Sequence, residues 1–305
     1  MSLPDGVERD YPLSRLTTVR VGGHADLFAR VGDESSLLAA LAHADRQGIP
    51  VGVVGSGSNL LVSDDGFRGL VLKLEGDLAT IERDGDRVLC GGGARLPSAA
   101  AKAARWGLSG LEFGVNIPGS VGGAVRMNAN AYGGELARTL EWVDVAAPGG
   151  LDRRQPAALG FAYRSSNLRA DEVVYGASFL LTKADPETVR AALAEMRSRR
   201  KQAQPSGIKT FGSTFKNPDH PAAGGRSAGQ LLDAAGCRGL QVGGARFSPK
   251  HANFVENAGE ATTADIVELM AEGRRRVHEA FGVELEPEVQ VLGEIRWPSG
   301  WELSR

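Results

Sequence analysis

Two glycine-rich loops, Gly55-Ser56-Gly57-Ser58-Asn59 and Ile117-Pro118-Gly119-Ser120-Val121-Gly122-Gly123-Ala124-Val125-Arg126-Met127-Asn128, carry the residue types that bind anions through the backbone. Glycine lacks the Cβ that would hold a ligand off the main chain, and it reaches positive φ without strain, so successive N–H groups can converge on one oxygen cluster. The serine hydroxyls and the Asn59 amide add donors around a phosphate-sized anion. Two such cradles in one chain point to a diphosphate. The first loop has no Lys-Ser/Thr of a P-loop, and the second lacks the glycine spacing by which a dinucleotide motif opens a helix. The expectation is a dinucleotide held outside a doubly wound sheet.

The composition agrees with a folded enzyme of about two domains. Of 305 residues, 41 are glycine and 42% are hydrophobic, with no low-complexity segment, so the glycine excess sits in loops. The 35 basic and 37 acidic residues leave a net charge of -2, and the ten Phe, four Tyr and four Trp form no basic aromatic platform. This argues against nucleic acid and anionic membranes as partners, and any anionic ligand must be held locally. The start, Met1-Ser2-Leu3-Pro4-Asp5, has no basic region ahead of an apolar stretch, and no apolar run approaches a membrane span, so a cytoplasmic protein is expected. Cys90 and Cys237 lie far apart, without CxxC spacing or nearby histidines, and read as reduced thiols; no metal is expected. No obligatory protein partner is evident.

The elements that must position the loops are short and mixed. Asp33 to Gly48 reads as an amphipathic helix with Leu37, Leu38, Leu41 and Ala44 at helical spacing. Val51 to Val54 reads as a buried strand feeding the first loop, followed by Leu60 to Val62, a Ser63 to Gly66 turn, a strand from Leu70 to Leu74 and two short strands around Asp84-Gly85-Asp86. A helix from Pro97 to Trp106 precedes the second loop, and a strand from Val173 to Thr182 ends this part, with a domain boundary near Ala184. Asp185-Pro186-Glu187 opens the next helix, which runs into the basic cluster Arg197 to Lys201, read as a solvated helix end. A short helix around Gln230 to Ala235, a long one from Thr262 or Thr263 to Gly282, and a final strand complete the chain. In that strand Val283, Leu285, Pro287, Val289 and Val291 alternate with Glu284, Glu286 and Glu288.

In chain order, Thr18-Val19-Arg20-Val21-Gly22-Gly23, Gly55 to Leu61, Ile117 to Asn128, Tyr163-Arg164-Ser165-Ser166, Gly212 to Pro218, Lys250 to Phe254 and Pro287-Glu288-Val289 resemble the motifs of the UDP-N-acetylenolpyruvoylglucosamine reductases over nearly the whole chain. The resemblance implies an α+β fold. An FAD-binding domain of the vanillyl-alcohol-oxidase (PCMH) type would span 1–185, in subdomains of about 1–75 and 76–185, ahead of an α+β substrate-binding domain over 186–305. It implies NADPH-dependent reduction of the enolpyruvyl ether of UDP-N-acetylglucosamine enolpyruvate to UDP-N-acetylmuramate, a step of peptidoglycan precursor synthesis. Non-covalent FAD is the implied cofactor, NADPH the co-substrate and a UDP-sugar the substrate. Implied cofactor contacts fall on Gly55, Ser56, Gly57, Ser58, Asn59, Leu60, Pro118, Gly119, Ser120, Gly122, Gly123 and Asn128.

The same resemblance implies catalytic roles for Arg164, Ser213 and Glu288. Arg164 would hold the substrate carboxylate and stabilise the enolate-like charge, and Ser213 would protonate that intermediate. Glu288 would sit beside the reacting carboxylate, either ionised or as a protonated hydrogen-bond donor. Lys216, Asn217 and Asn253 fall where the family contacts the UDP-sugar, and His251 reads as a packing residue. The chain lacks the tyrosine-bearing loop of one subgroup and so resembles the shorter second type. Asn116 and Asn130 stand where the family more often has glycine, and Arg126 where it has an apolar or aromatic residue. The rival readings are another FAD-dependent oxidoreductase of the same flavin fold, acting on an alcohol or hydroxy acid, and a nucleotide-sugar binder without turnover. Neither needs Arg164, Ser213 and Glu288 together.

Overall fold

The computed structural model describes residues 6–298 and residue 301; residues 1–5, on which the expectation of no leader rests, and the remainder of the C-terminal tail lie outside the described residues. The chain forms two compact units. Met1–Tyr11, Asp26–Ser56 and Arg68–Arg200 make the first, and Pro12–Ala25, Gly57–Phe67 and Lys201–Arg305 make the second. The linear reading placed one boundary near Ala184; the structure divides the chain after Arg200 and moves two N-terminal excursions into the second unit.

Among the described residues the first unit holds two two-stranded ladders, Asn130–Ala131 with Gly134–Glu135 and Leu108–Ser109 with Thr182–Lys183, and two larger sheets. One has the strands Val7–Pro12, His24–Val31, Phe67–Leu74 and Val51–Val53 in that spatial order. Helix α1 (Glu34–Gln47) covers it with Leu37, Leu41 and Ala44, which are buried with Leu27, Leu70 and Leu72. Its ends are set locally. The Asp33 carboxylate accepts from Ser36 N at 2.7 Å, and Gly48, at φ +60, stops the helix in the left-handed region.

The other sheet is antiparallel, ordered Gly150–Arg154, Leu140–Ala147, Val173–Leu180, Arg87–Gly91 and Ile81–Asp84. Helix α2 (Leu96–Arg105) contributes Leu96, Ala99, Ala100 and Ala103 to its core. Helix α3 (Val121–Arg126) follows the second glycine loop, with Ser120 Oγ accepting from Gly123 N at 3.3 Å. The sequence reading missed this helix, because two glycines in its six residues remove about 1 kcal/mol each of helix propensity and tertiary packing has to supply it. Helix α4 (Pro186–Ala203) starts where Asp185 accepts from Thr188 N, and it buries Val189 and Leu193.

The second unit has an antiparallel sheet of Thr210–Ser213, Phe254–Asn257, Ala245–Phe247 and Gln241–Val242, with helices α5 (Ala228–Ala234) and α6 (Thr263–Phe281). Its core gathers Phe211, Phe215, Phe247, Ile266, Met270 and Val277, and also Val19, Val21 and Leu61 from the N-terminal excursions. Polar contacts follow the same route: Thr18 Oγ1 donates to Thr210 O at 2.6 Å, and the Asp64 carboxylate caps α6 by accepting from Thr263 N and Ala264 N at 2.8 and 3.0 Å. The final segment keeps the expected burial alternation at Val283, Leu285 and Val289. It is not one continuous strand. Only Gln290–Leu292 enters a ladder, parallel to Leu60–Val62, and Pro287 makes an isolated bridge to Phe215. Proline has no N–H to give a ladder, so the regular pairing cannot run through it.

Candidate active site

In the first unit the strand Val51–Val53 delivers Gly55 against the start of α3, where a Cβ on Gly55 would lie 2.2 Å from Ser120 Oγ. Within this unit the Gly55 end of the first loop therefore meets the second loop. In the second unit Gly57, at φ +61, faces Leu16 O with room for no Cβ, and its carbonyl accepts from Thr18 N and Oγ1 at 3.0 and 3.1 Å. Among the described residues, the N–H groups of Gly55, Ser56, Gly57, Ser58, Gly119 and Ser120 donate no backbone hydrogen bond within the protein.

The glycines of the second loop differ in what they are for. Gly122 is a packing residue, since its Cβ would meet Val174 O at 2.9 Å and Gly92 O at 3.1 Å. Gly119 has only Ile117 Cγ2 nearby at 3.9 Å, and Gly123 only Ser120 Oγ at 3.4 Å. Neither needs to be glycine for the protein's own packing. Undonated N–H groups beside bare Cα atoms are what a diphosphate requires, so the residues present fit a diphosphate-bearing cofactor. Pro118 adds no donor and is exposed. Asn59 and Leu60 have other work: Asn59 Nδ2 donates to Glu288 O at 3.1 Å, and Leu60 pairs with Gln290. Asn128, at φ +40 and 1% exposed, donates to Glu135 Oε1 at 2.7 Å and Ala162 O at 3.2 Å, while its buried Oδ1 has no partner among the described residues.

Arg164 sits at φ +58 in a turn closed by reciprocal 3.2 Å bonds between Ala162 and Ser165. A left-handed arginine costs about 1–3 kcal/mol and persists only where its neighbours impose it. Ser166 Oγ donates to Arg126 O at 2.8 Å, and the Arg126 guanidinium donates to Leu168 O, Arg169 O and Glu172 O at 3.1, 3.1 and 2.6 Å. Burial holds Arg126 below the usual arginine range. Glu172, 1% exposed, anchors the far side through Arg154 at 2.7 Å and Arg169 N at 2.8 Å. The unusual Arg126 thus fastens the turn that carries Arg164. Arg164 Nη1 donates to Asn130 Oδ1 at 2.7 Å, and its guanidinium carbon lies 5.1 Å from the Tyr163 ring centre. Asn116, the other unexpected asparagine, ties to Met196 O at 2.8 Å and to the Tyr132 hydroxyl at 3.1 Å.

Ser213 ends the strand Thr210–Ser213 in the second unit, half-buried and opposite Phe254, and its hydroxyl makes no hydrogen bond among the described residues. The next peptide units run onto the Glu288 segment: Glu288 N donates to Thr214 O at 2.9 Å, and Lys216 N to Glu286 O at 2.8 Å. Ser213 and Glu288 are therefore brought onto adjoining backbone. Asn253, 4% exposed, clasps this stretch by accepting from Phe215 N and donating to Phe215 O, both at 2.9 Å. Trp301 stacks on the same Phe215 at 6.3 Å.

Asn217 Oδ1 caps α5 by accepting from Ala228 N at 3.1 Å, and Lys216 Nζ pairs with Glu286 at 3.2 Å. His251 Nδ1 accepts from Asn253 N at 3.2 Å, with its ring edge against Phe254 and its pKa lowered by burial, as suits a packing residue. Burial raises the Cys90 and Cys237 thiols to about 12 and about 11, keeping both protonated. Among the described residues no three His, Cys, Asp or Glu side chains gather as metal ligands. The residues that sequence reasoning missed are positioning groups: Arg126 and Asn130 entered it only as departures from a pattern, and the tertiary contacts that use them leave no local signal.

Residues 204–292 match the family described as UDP-N-acetylenolpyruvoylglucosamine reductase, C-terminal domain, and residues 25–151 match the FAD binding domain family. The UDP-N-acetylenolpyruvoylglucosamine reductase 2 of Symbiobacterium thermophilum is 43% identical over 296 residues, 96% of this chain and 94% of that one. The reductase of Rubrobacter xylanophilus is 42% identical over 287 residues, covering 93% and 95%. The crystal structure of the UDP-N-acetylenolpyruvylglucosamine reductase of Thermus caldophilus matches with a TM-score of 0.81 at 39% identity, covering 94% of this chain and 99% of that one. The α+β fold, with an FAD-binding domain ahead of a reductase C-terminal domain, follows from these matches. The chain belongs to the UDP-N-acetylenolpyruvoylglucosamine reductase family.

Proposed function

We propose that this chain reduces the enolpyruvyl ether of UDP-N-acetylglucosamine enolpyruvate to UDP-N-acetylmuramate with NADPH, in the cytoplasm, as a step of peptidoglycan precursor synthesis. The observation that carries the reading is the half-buried Ser213 hydroxyl, without a hydrogen-bond partner among the described residues, on backbone bonded through Thr214 O to Glu288 N. A proton donor must be held in place yet not already committed to the protein.

Gly55 to Ser58, Gly119, Ser120 and Gly123 would hold the diphosphate of FAD, with Gly122 packing the second loop in place. When bound, that group supplies two-electron hydride transfer between NADPH and the substrate. The chain's own residues then meet the charge that builds up on the carbon bearing the substrate carboxylate. Arg164 binds that carboxylate and stabilises the developing enolate. Ser213 gives its proton to the carbon, so that one hydride and one proton together saturate the double bond. Glu288 lies beside the carboxylate and polarises it. Lys216 contributes a cation toward the nucleotide-sugar, while Asn217 and Asn253, whose amides are bonded within the protein, shape the backbone of that site.

An anaerobic visible spectrum tests the reading. The purified yellow protein should bleach with NADPH and recover its oxidised band on addition of UDP-N-acetylglucosamine enolpyruvate. Bleaching without recovery on that substrate, but with recovery on an alcohol- or hydroxy-acid-derived acceptor, would favour the rival flavoenzyme.

A further inference from the structure

We propose that Asn130 is a positioning residue that pre-sets the Arg164 guanidinium for the substrate carboxylate. The inference rests on the assignment of Arg164 to that carboxylate. An arginine side chain loses much rotamer freedom when it is fixed, and it recognises a carboxylate well only when its planar fork is already aimed. Asn130 Oδ1 holds Arg164 Nη1 at 2.7 Å, and Asn130 O lies 3.3 Å from the same nitrogen. The holding group is itself fixed. Asn130–Ala131 pairs with Gly134–Glu135, and Asn128 Nδ2 ties Glu135 Oε1 to Ala162 O, two residues before Arg164. One connected set of bonds therefore runs from the end of the second glycine loop to the guanidinium.

The chemistry of an amide suits this task. A neutral acceptor orients the guanidinium and leaves its positive charge whole, whereas an aspartate at the same place would form an ion pair and compete with the substrate. A glycine would offer only the 3.3 Å carbonyl contact. Asn130 is not among the residues at positive φ, so alanine can replace it without backbone strain.

The test is a double-mutant cycle on the FAD-loaded enzyme, with the two half-reactions followed separately and substrate affinity read from flavin absorbance. Asn130→Ala should take up FAD and be reduced by NADPH as the parent is. Its substrate affinity and its reoxidation by substrate should fall about 10- to 100-fold, the range for losing a hydrogen bond to a charged group. Asn130→Asp should lose more, and in an Arg164→Ala background Asn130→Ala should cost nothing further. Parent-like behaviour of Asn130→Ala beside a slow Arg164→Ala would overturn the inference, as would fully additive losses in the double variant. So would an equal loss in the NADPH half-reaction, which would place Asn130 in shaping the flavin loop. An Arg164→Ala enzyme with parental reoxidation would instead remove the underlying reading of Arg164.

Discussion

On the proposed reading Ser213 is the proton donor, and because a serine hydroxyl is a weak acid it can protonate only a strongly basic carbon held in a fixed geometry. Ser213→Ala should therefore leave flavin reduction by NADPH intact and slow reoxidation by substrate about 10²–10⁴-fold, as stopped-flow absorbance would resolve. Equal slowing of both steps would mean that the serine places ligands. Glu172 gives a second prediction. Hydrogen bonds from Arg154, and the charge beside them, hold its carboxyl below the usual carboxylate range. A folded pKa below the unfolded value of about 4.3 means that its stabilisation is fully present above that pH and is lost as pH falls through the depressed folded value. Glu172→Gln should cost about 3–5 kcal/mol at pH 7 in urea melts, and the gap should narrow below about pH 4. A pH-independent gap would assign the cost to packing. At this scale motif context singles out Arg164, Ser213, Glu288 and Asn253 as candidates, whereas the contacts that Arg126 and Asn130 make leave no local signal, because an amide or guanidinium chooses its partners by tertiary contact.

Helix ends were the most legible elements because their determinants are local. Asp33 and Thr262 at N-caps and Gly48 and Gly282 at C-caps all stand where the sequence placed them. Elements held by distant contacts were harder to see. Helix α3 forms despite its glycines because Gly122 N donates to Gly92 O and the helix lies against the strand Val173–Leu180. The second glycine loop thus divides into a glycine packed against backbone and glycines that the protein's own packing leaves open, proposed here to face the cofactor, and that division predicts opposite phenotypes. Gly122→Ala should lower thermal stability, since its Cβ would press on backbone at 2.9 Å. Gly119→Ala and Gly123→Ala should melt within about 1 kcal/mol of the parent as apoproteins yet bind FAD more weakly, by fluorescence titration. Unchanged FAD affinity in both would remove the ligand role from this loop.

The chain passes between the two units five times, at 11/12, 25/26, 56/57, 67/68 and 200/201, so neither unit is one continuous stretch of sequence. No composition shift announces this, and a reading along the sequence finds one boundary where the fold has several. The consequence is energetic. Val19, Val21 and Leu61 are 0%, 3% and 0% exposed within the second core, and Thr263 Oγ1 donates to Val62 O at 2.6 Å. Burying three such aliphatic side chains contributes roughly 5–9 kcal/mol, comparable with the 5–15 kcal/mol that a whole domain retains. A fragment of residues 201–305 should therefore lack a cooperative melt and near-ultraviolet dichroism, although it carries the whole of the family's C-terminal match. Adding a peptide of residues 12–67 should restore part of both signals, because it returns the three aliphatics and the Asp64 cap of α6. A fragment that melts sharply alone would show that the N-terminal excursions serve the site and not the core, and Val19→Ala in the full chain would then cost far less than the 2–3 kcal/mol typical of a buried aliphatic truncation.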